Sequence, residues 1–244
     1  MRHLHEPAFQ SRPVSEAQQP TSIGQTADVP NRSPSNPMKC LLVDDHALIR
    51  DALAMLIALH HPRVDLRQAG CLADARERLA EEPDMQLVLL DLALPDSSGI
   101  ATLALLRQAA PTARVVVLSA DERAETVLAA IDAGAAGFIP KTTESNVLRR
   151  AIATVIDGGI YIPPFAMHGA PPPPPVSADA LGLTPRQVDV LRMLVDGRPN
   201  KSISRALDLA PSTVKTHLEA IFQRLHVSSR TQAVVAAARF GLRL

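Results

Sequence analysis

Three aspartates stand directly after short apolar runs and could bind a metal ion or carry a phosphoryl group. Cys40–Val43 is followed by Asp44 and Asp45, and Leu87–Leu90 is followed by Asp91. Runs of this kind are typical of buried strands in a parallel sheet, and the carboxyl ends of such strands meet at one edge. Because carboxylates held close together repel one another, the cluster needs a cation, and Mg²⁺ prefers oxygen ligands.

Asp91 is the candidate phosphoryl acceptor, because a carboxylate can attack phosphorus as a nucleophile. Two later strand patterns end in Ser119 and Lys141. We expect the Lys141 ammonium and the Ser119 hydroxyl to contact phosphoryl oxygens, as cations and donors do in phosphoryl transfer. The expected Mg²⁺ ligands are the side chains of Asp44, Asp45 and Asp91 and the backbone carbonyl of Ala93.

The elements around these residues alternate between strand and helix patterns over residues 38–157. Strands are predicted at 39–43, 64–69, 86–90, 114–118 and 137–139, and helices at about 46–60, 72–82, 98–109, 122–133 and 143–157. Five such units predict a doubly wound, flavodoxin-like α/β domain with strand order 2-1-3-4-5. Its crevice lies at the carboxyl ends of the strands, where the polar residues fall. The alternative is that Asp44–Asp45 caps a helix and Lys141 is a surface charge.

Residues 38–157 resemble the receiver domain of two-component response regulators. The resemblance lies in Val43–His46, in Leu90-Asp91 with Pro95 and Gly99, in Leu118–Ala120 and in Phe138–Lys141. It implies that Asp91 accepts a phosphoryl group from a phosphohistidine on a sensor histidine kinase and that Asp44 and Asp45 bind Mg²⁺. It also implies that Ser119 and Phe138 form a switch pair. Without it, Phe138 is equally well explained as a core ring.

Ala93 and Asp121 follow Asp91 and Ser119 by two residues and are expected to flank the path of a hydrolytic water molecule. An alanine side chain cannot orient water. We therefore predict a phosphoryl lifetime of minutes or more.

Residues 181–244 form a second, basic unit with four short helix patterns. This part carries 10 Lys+Arg against 4 Asp+Glu, whereas residues 38–157 carry 12 against 17. The stretch Thr184–Gln187 predicts a helix that starts with a capping box and has proline at its first position. Gly197 is a residue type typical of the end of such a helix. A short helix, a tight turn and a longer helix predict a helix-turn-helix domain for nucleic acid.

Residues 181–240 resemble the LuxR-type helix-turn-helix of the NarL/FixJ response regulators. The matching motifs are Leu183–Arg186, Asn200-Lys201, Thr213–Leu218 and Ser229–Ala233. In the helix from Pro211, Val214, Leu218, Ile221 and Leu225 form a core face. The opposite face is expected to enter the major groove. The predicted phosphate contacts are Lys201, Lys215 and Arg230, and the predicted base contacts are Thr216 and Gln223.

Glu219 and Ala210 depart from this family's pattern. Relatives commonly carry serine where this chain has Ala210, and a lost helix cap costs about 1 kcal/mol. Glu219 repels phosphate but can accept a hydrogen bond from cytosine. It therefore predicts either an altered sequence preference or weakened DNA binding.

The remaining segments are a tail and a linker. Residues 1–37 have a composition typical of disorder, and they form either a flexible tail or an upstream extension of a chain that starts at Met38. Residues 158–180 contain Pro171–Pro175 and predict a stiff linker. Two cysteines and the absence of a long apolar run favour a cytoplasmic protein without a membrane span.

The combined patterns predict a DNA-binding response regulator that is no enzyme beyond its own phosphoryl transfer and dephosphorylation. Its expected partners are a sensor histidine kinase, a second copy of the chain and double-stranded DNA with an inverted repeat, with RNA polymerase as a further candidate. In this subfamily the receiver often covers the recognition helix until phosphorylation. The alternatives are an aspartyl-phosphate phosphatase or phosphotransferase, for which Leu92-Ala93 supplies no second acid, and a regulator acting by protein contact.

Overall fold

The computed structural model describes residues 37–167 and 181–240. The sequence predictions for the tail over 1–36 and for the proline run within 168–180 lie outside these residues.

The first domain has a five-stranded parallel sheet whose helices lie on both faces. The sheet order is β2-β1-β3-β6-β7, which is the predicted 2-1-3-4-5 order of the five long strands. Its elements are β1 (Met38–Val43), α1 (Ala47–His60), β2 (Val64–Ala69), α2 (Leu72–Glu81), β3 (Leu87–Asp91), β4 (Ala93–Leu94), β5 (Ser97–Ser98), α3 (Ile100–Ala109), β6 (Arg114–Ser119), α4 (Ala124–Asp132), β7 (Gly137–Pro140) and α5 (Ser145–Ile156).

The middle residues of the central strands are apolar and buried, as expected where helices cover both sides of a sheet. Alternate residues of β1 illustrate this arrangement. Leu41 and Val43 join the apolar cluster with α2, α3 and α4, whereas Cys40 and Leu42 join the cluster with α1 and α5. Burial raises the pKa of the Cys40 thiol to about 12. Parallel register aligns β1 with β3 and β3 with β6, so that their carboxyl ends lie at one edge.

One feature of this edge was not predicted. The segment after β3 folds into a small antiparallel hairpin of β4 and β5, and α3 begins only at Ile100. The hairpin turn carries Asp96, whose carboxylate accepts hydrogen bonds from the N–H groups of Leu72 and Ala73, each at 2.9 Å. Asp96 therefore caps α2 from a distant loop, and these bonds lower the pKa of its carboxyl group.

The second domain contains α6 (Pro185–Val195), α7 (Asn200–Ala206), α8 (Pro211–Leu225) and α9 (Arg230–Arg239). The capping box of α6 is confirmed, because Thr184 and Gln187 exchange side-chain and backbone hydrogen bonds. Gly197 follows α6 with φ +74°, a conformation that favours glycine. No side-chain hydrogen bond caps α8 at Ala210.

Between the two domains, the described part of the predicted linker contains a short 3-10 helix over Pro164–Met167. Within residues 37–167 and 181–240, none of the helices has the length and apolarity that crossing a membrane requires.

Candidate functional site

A partly buried lysine lies between two buried carboxylates at the carboxyl edge of the sheet. Asp91 is the last residue of β3 and Asp44 follows β1, and their exposed fractions are 2% and 0%. Lys141, which follows β7, places its Nζ 2.5 Å from Asp91 Oδ2 and 2.7 Å from Asp44 Oδ2. The parallel sheet thus brings these three sequence-predicted residues together.

Backbone groups fix the orientation of both carboxylates. Asp91 Oδ1 accepts a hydrogen bond from the N–H of Ala93 at 3.1 Å. Asp44 Oδ1 accepts one from the N–H of His46 at 2.9 Å, and Arg50 donates to the Asp44 carbonyl at 2.6 Å. One Asp91 oxygen is therefore held by the loop and the other faces the Lys141 ammonium.

The acidic residues can supply a metal site. Ligand atoms of Asp44, Asp45, His46 and Asp91 all lie within 4.8 Å of one another. Asp44 Oδ2 is buried and accepts no hydrogen bond of good geometry, although Lys141 Nζ is close. A buried oxygen without a hydrogen bond and a set of carboxylates suit a hard cation such as Mg²⁺. The sequence prediction missed His46, whose Nδ1 lies 2.6 Å from Asp45 Oδ1.

Ser119 ends β6 beside this cluster, and its hydroxyl is engaged with the next loop. Ser119 Oγ accepts a hydrogen bond from the N–H of Asp121 at 3.1 Å. The Asp121 carboxylate binds Arg123 at 2.6 Å and the hydroxyl of Thr126 at 2.8 Å. The Arg123 guanidinium is the main cause of a lowered pKa for Asp121. Asp121 is therefore an ionised acceptor held by the start of α4.

Phe138 lies in β7 and is fully buried in the apolar cluster that also contains Val127 and Ile131 of α4. Its N–H donates to the carbonyl of Tyr161 at 2.9 Å. The ring is therefore packed inward, away from solvent.

An open cleft of about 450 Å³ adjoins Ser119 at this edge. Its lining includes Ala93, Gly99, Asp121 and Thr126. The cleft gives solvent access to the loops that surround the acidic cluster.

The recognition helix α8 has one buried and one exposed face, as its sequence pattern predicts. The buried side chains are those of Val214, Leu218, Ile221 and Leu225. The candidate DNA contacts on the opposite face are exposed to solvent, and they are Lys215, Thr216, Glu219 and Gln223. Lys215 Nζ lies 3.9 Å from Glu219 Oε1, so the acid partly balances the nearest cation. The receiver does not cover this face, contrary to the expectation for the subfamily.

The other two candidate phosphate contacts differ in their surroundings. Lys201 at the start of α7 is exposed. Arg230 is half-buried and donates to the Asn200 side chain and to the Arg198 carbonyl. Burial, followed by the nearby charge of Arg114, lowers the pKa of Arg230 to about 10. In this conformation, Arg230 thus joins α9 to the turn before α7.

Comparison with known proteins matches both domains. Residues 40–153 match the family described as response regulator receiver domain, and residues 181–237 match the bacterial regulatory proteins of the luxR family. The chain is 34% identical to the glycerol metabolism activator of Pseudomonas putida, over 82% of this chain and 94% of that protein. It is 32% identical to the nitrate/nitrite response regulator NarL of Escherichia coli, over 83% of this chain and 96% of that protein.

A solved structure of the RcsB response regulator from Salmonella typhimurium has a similar fold, with a TM-score of 0.50 and 18% identity over 82% of this chain and 97% of that one. The protein is therefore a DNA-binding response regulator, and it belongs to the NarL-type family that joins a receiver domain to a LuxR-type helix-turn-helix.

Proposed function

We propose that Asp91 accepts a phosphoryl group from a phosphohistidine on a sensor histidine kinase and that this event controls DNA binding by α8. The observation that carries the proposal is the contact of Lys141 Nζ with Asp91 Oδ2 at 2.5 Å, next to the buried Asp44. A partly buried ammonium beside a buried carboxylate is preformed to pair with a group that carries several negative oxygens.

The transfer converts a carboxylate into an acyl phosphate. An Asp91 oxygen attacks phosphorus while the bond between phosphorus and the donor's imidazole nitrogen breaks, and that nitrogen keeps the electron pair. Lys141 then pairs with a phosphoryl oxygen. Mg²⁺ would be held by the carboxylates of Asp44, Asp45 and Asp91 and by the Ala93 carbonyl. When bound, it would neutralise negative charge on the phosphoryl oxygens.

The Ser119 hydroxyl connects this chemistry to α4. Ser119 Oγ accepts from the N–H of Asp121, and Asp121 is bound by Thr126 within the first turn of α4. If the hydroxyl turns to donate to a phosphoryl oxygen, the Asp121 N–H loses its acceptor. The proposed signal therefore reaches α4 through Ser119, with Phe138 filling the core behind it.

The phosphoryl group is proposed to last for minutes or more. Ala93 carries no group that can orient water, and Arg123 and Thr126 hold the Asp121 carboxylate. Neither residue is then free to act on a water molecule at phosphorus.

DNA recognition is assigned to the exposed face of α8. Thr216, Glu219 and Gln223 are the proposed base contacts, and Lys201 and Lys215 are the proposed phosphate contacts. Arg230 remains a candidate, with its guanidinium engaged by Asn200 and Arg198 in this state. We expect a homodimer on an inverted repeat in the cytoplasm, where RNA polymerase is a further candidate partner.

A second candidate function is regulation by protein contact with a weakened DNA interface. It is favoured by the uncapped start of α8 at Ala210 and by the negative charge of Glu219 among the exposed residues of α8.

Phosphorylation is tested by incubating the protein with Mg²⁺ and a labelled small-molecule phosphodonor. We expect an acyl phosphate, labile to alkali and to hydroxylamine, to form in wild type but not in Asp91→Asn. Asp51→Asn, an exposed carboxylate on α1, is the control and should react like wild type. Equal labelling of Asp91→Asn would contradict the assignment.

DNA binding is tested with sheared genomic DNA, with and without Mg²⁺ and the phosphate mimic beryllofluoride. Inverted-repeat fragments enriched only with the mimic would support the proposal. Enrichment in neither state would favour the protein-contact alternative.

A further inference from the structure

His46 places an imidazole nitrogen beside the carboxylates of the acidic cluster. Its Nδ1 lies 2.6 Å from Asp45 Oδ1 and 3.3 Å from Asp44 Oδ1. Ligand atoms of these three residues and of Asp91 all lie within 4.8 Å of one another. Since oxygen and nitrogen ligands lie about 2.0–2.2 Å from a Zn²⁺ ion, small rotations of these side chains would let one ion contact all four. The cluster thus contains a nitrogen donor in addition to its oxygens.

The backbone around His46 fixes the position from which this imidazole reaches the cluster. His46 immediately precedes α1, and its N–H donates to Asp44 Oδ1 at 2.9 Å. Its carbonyl accepts from the N–H groups of Ile49 and Arg50 in the first turn of the helix, each at 3.0 Å. The side chain forms no capping hydrogen bond with α1. The imidazole is therefore anchored beside Asp44, and the helix does not use it.

The four side chains extend from the buried floor of the site to its rim. Asp44 and Asp91 are almost completely buried, whereas the side chains of Asp45 and His46 are 36% and 60% exposed. An ion that enters from solvent meets the exposed pair before the buried pair. The exposed imidazole is free to turn toward such an ion, because it is not enclosed by packing.

The charges of the cluster favour a divalent cation. Among the residues that the structure describes, Lys141 supplies the only lysine or arginine charge in contact with the carboxylates of Asp44, Asp45 and Asp91. Carboxylates at this range repel one another, and a bound cation relieves the repulsion.

We propose that His46 is a metal ligand and that the acidic site takes a divalent transition-metal ion, of the class of Zn²⁺, as well as Mg²⁺. The inference rests on the proposed function, since the ion binds beside the same Asp91. Mg²⁺ prefers oxygen ligands in octahedral geometry, whereas imidazole nitrogen suits Zn²⁺ and related ions. His46 thus adds affinity for a transition ion and little for Mg²⁺, and such an ion competes with Mg²⁺ for the acceptor carboxylate.

A role for His46 as a counter-charge to the aspartates makes the opposite prediction. A protonated imidazole repels every cation, so its removal would strengthen the binding of Mg²⁺ and Zn²⁺ alike. Removal of a ligand weakens Zn²⁺ selectively. The sign of the change therefore separates the two roles.

The first test is isothermal titration calorimetry of full-length wild type and His46→Gln with Zn²⁺ and with Mg²⁺. We expect the ratio of Zn²⁺ affinity to Mg²⁺ affinity to fall about tenfold or more in His46→Gln. His60→Gln is the matched control, because His60 is exposed at the other end of α1, and it should keep the wild-type ratio. Asp91→Asn should weaken the binding of both ions. Circular dichroism checks that each variant is folded.

The second test observes the imidazole directly, by ¹⁵N nuclear magnetic resonance of the histidine side chains in wild type. Zn²⁺ should shift the Nδ1 resonance that is absent from His46→Gln, and Mg²⁺ should leave it nearly in place. This result needs no stability or activity comparison between variants.

An unchanged ratio in His46→Gln, tighter binding of both ions, or an Nδ1 resonance that ignores Zn²⁺ would overturn the proposal. Labelling of Asp91 by a phosphodonor with Mg²⁺ in wild type would then leave the proposed function standing. The reverse result is a Zn²⁺-shifted His46 in a wild-type protein that no phosphodonor labels. It would keep the nitrogen ligand and remove phosphoryl acceptance.

Discussion

The two edges of the receiver sheet each hold a partly buried cation, but the partners of the two cations are of different kinds. At the carboxyl edge, Lys141 contacts the carboxylates of Asp44 and Asp91. At the amino edge, Arg114 contacts the neutral carbonyls of Val155 and Gly159. Burial lowers the pKa of Arg114, and no carboxylate bonded to it offsets that effect among the contacts of the described residues.

This difference in partners indicates different roles for the two edges, one chemical and one structural. The electrostatic energy of a site built from charges changes when a phosphoryl group or a metal ion binds, because the added charge acts on every charged group in the site. A site built from a guanidinium and carbonyls is insensitive to such changes and depends on geometry. The carboxyl edge is thus suited to receive the signal and the amino edge to hold the backbone after α5.

The largest expected effect is the loss of the Lys141 ammonium, which lies between two buried carboxylates. Lys141→Met should destabilise the protein by about 3 kcal/mol without Mg²⁺, because two buried carboxylates lose their counter-charge. Added Mg²⁺ should recover part of this loss. Urea unfolding with and without Mg²⁺ measures both quantities.

Lys39→Met is the control for that substitution. Lys39 also bridges two carboxylates, those of Glu82 and Asp84, but they are partly exposed. Its loss should cost much less than the loss of Lys141, because solvent screens the exposed charges. Equal effects at the two lysines would mean that burial does not distinguish the sites.

A smaller effect is expected at the opposite edge. Arg114→Met leaves the carbonyls of Val155 and Gly159 without their donor and should cost about 1–3 kcal/mol. Mg²⁺ should not restore this stability. If Mg²⁺ restored the stability of Arg114→Met, the two edges of the sheet would not differ in their response to a metal ion. Arg114→Lys should retain part of the stability. It keeps a cation but loses the planar guanidinium that donates to both carbonyls at once.

The smallest expected effect concerns the α2 cap. Asp96→Ala should cost about 1 kcal/mol, because Leu72 and Ala73 lose their acceptor. The folded-state pKa of Asp96 is below its unfolded value, so its stabilisation is present above the unfolded pKa and is lost as pH falls through the folded pKa. The difference from wild type should therefore be full at pH 7 and shrink in acid. A difference that grows in acid would contradict the capping role. Asp96→Asn is the control that keeps an acceptor.

The carboxyl edge was predictable from sequence because its residues follow apolar runs, and parallel strands must bring them together. Asp44, Asp91 and Lys141 needed only the strand order to be placed. The exposed face of α8 followed in the same way from its helical spacing. Neither prediction required knowledge of any contact between distant loops.

The backbone contact of Ile160 with Gly197 and the Asp96 cap were not predictable in this way. A glycine that permits backbone contact, such as Gly197, has the same local pattern as a glycine that only ends a helix. Asp96 caps a helix that begins 24 residues earlier, at Leu72. Such contacts depend on how loops are placed in space.

The central claim is that the charge state of Asp91 sets the DNA affinity of a distant domain. The most direct measurement is a fluorescence-anisotropy titration of one enriched genomic fragment at fixed salt, with Mg²⁺, with and without beryllofluoride. We predict that the mimic tightens binding by wild type about tenfold or more and leaves Asp91→Asn unchanged. The same affinity for wild type in both states would contradict the claim, even if Asp91 accepts phosphate.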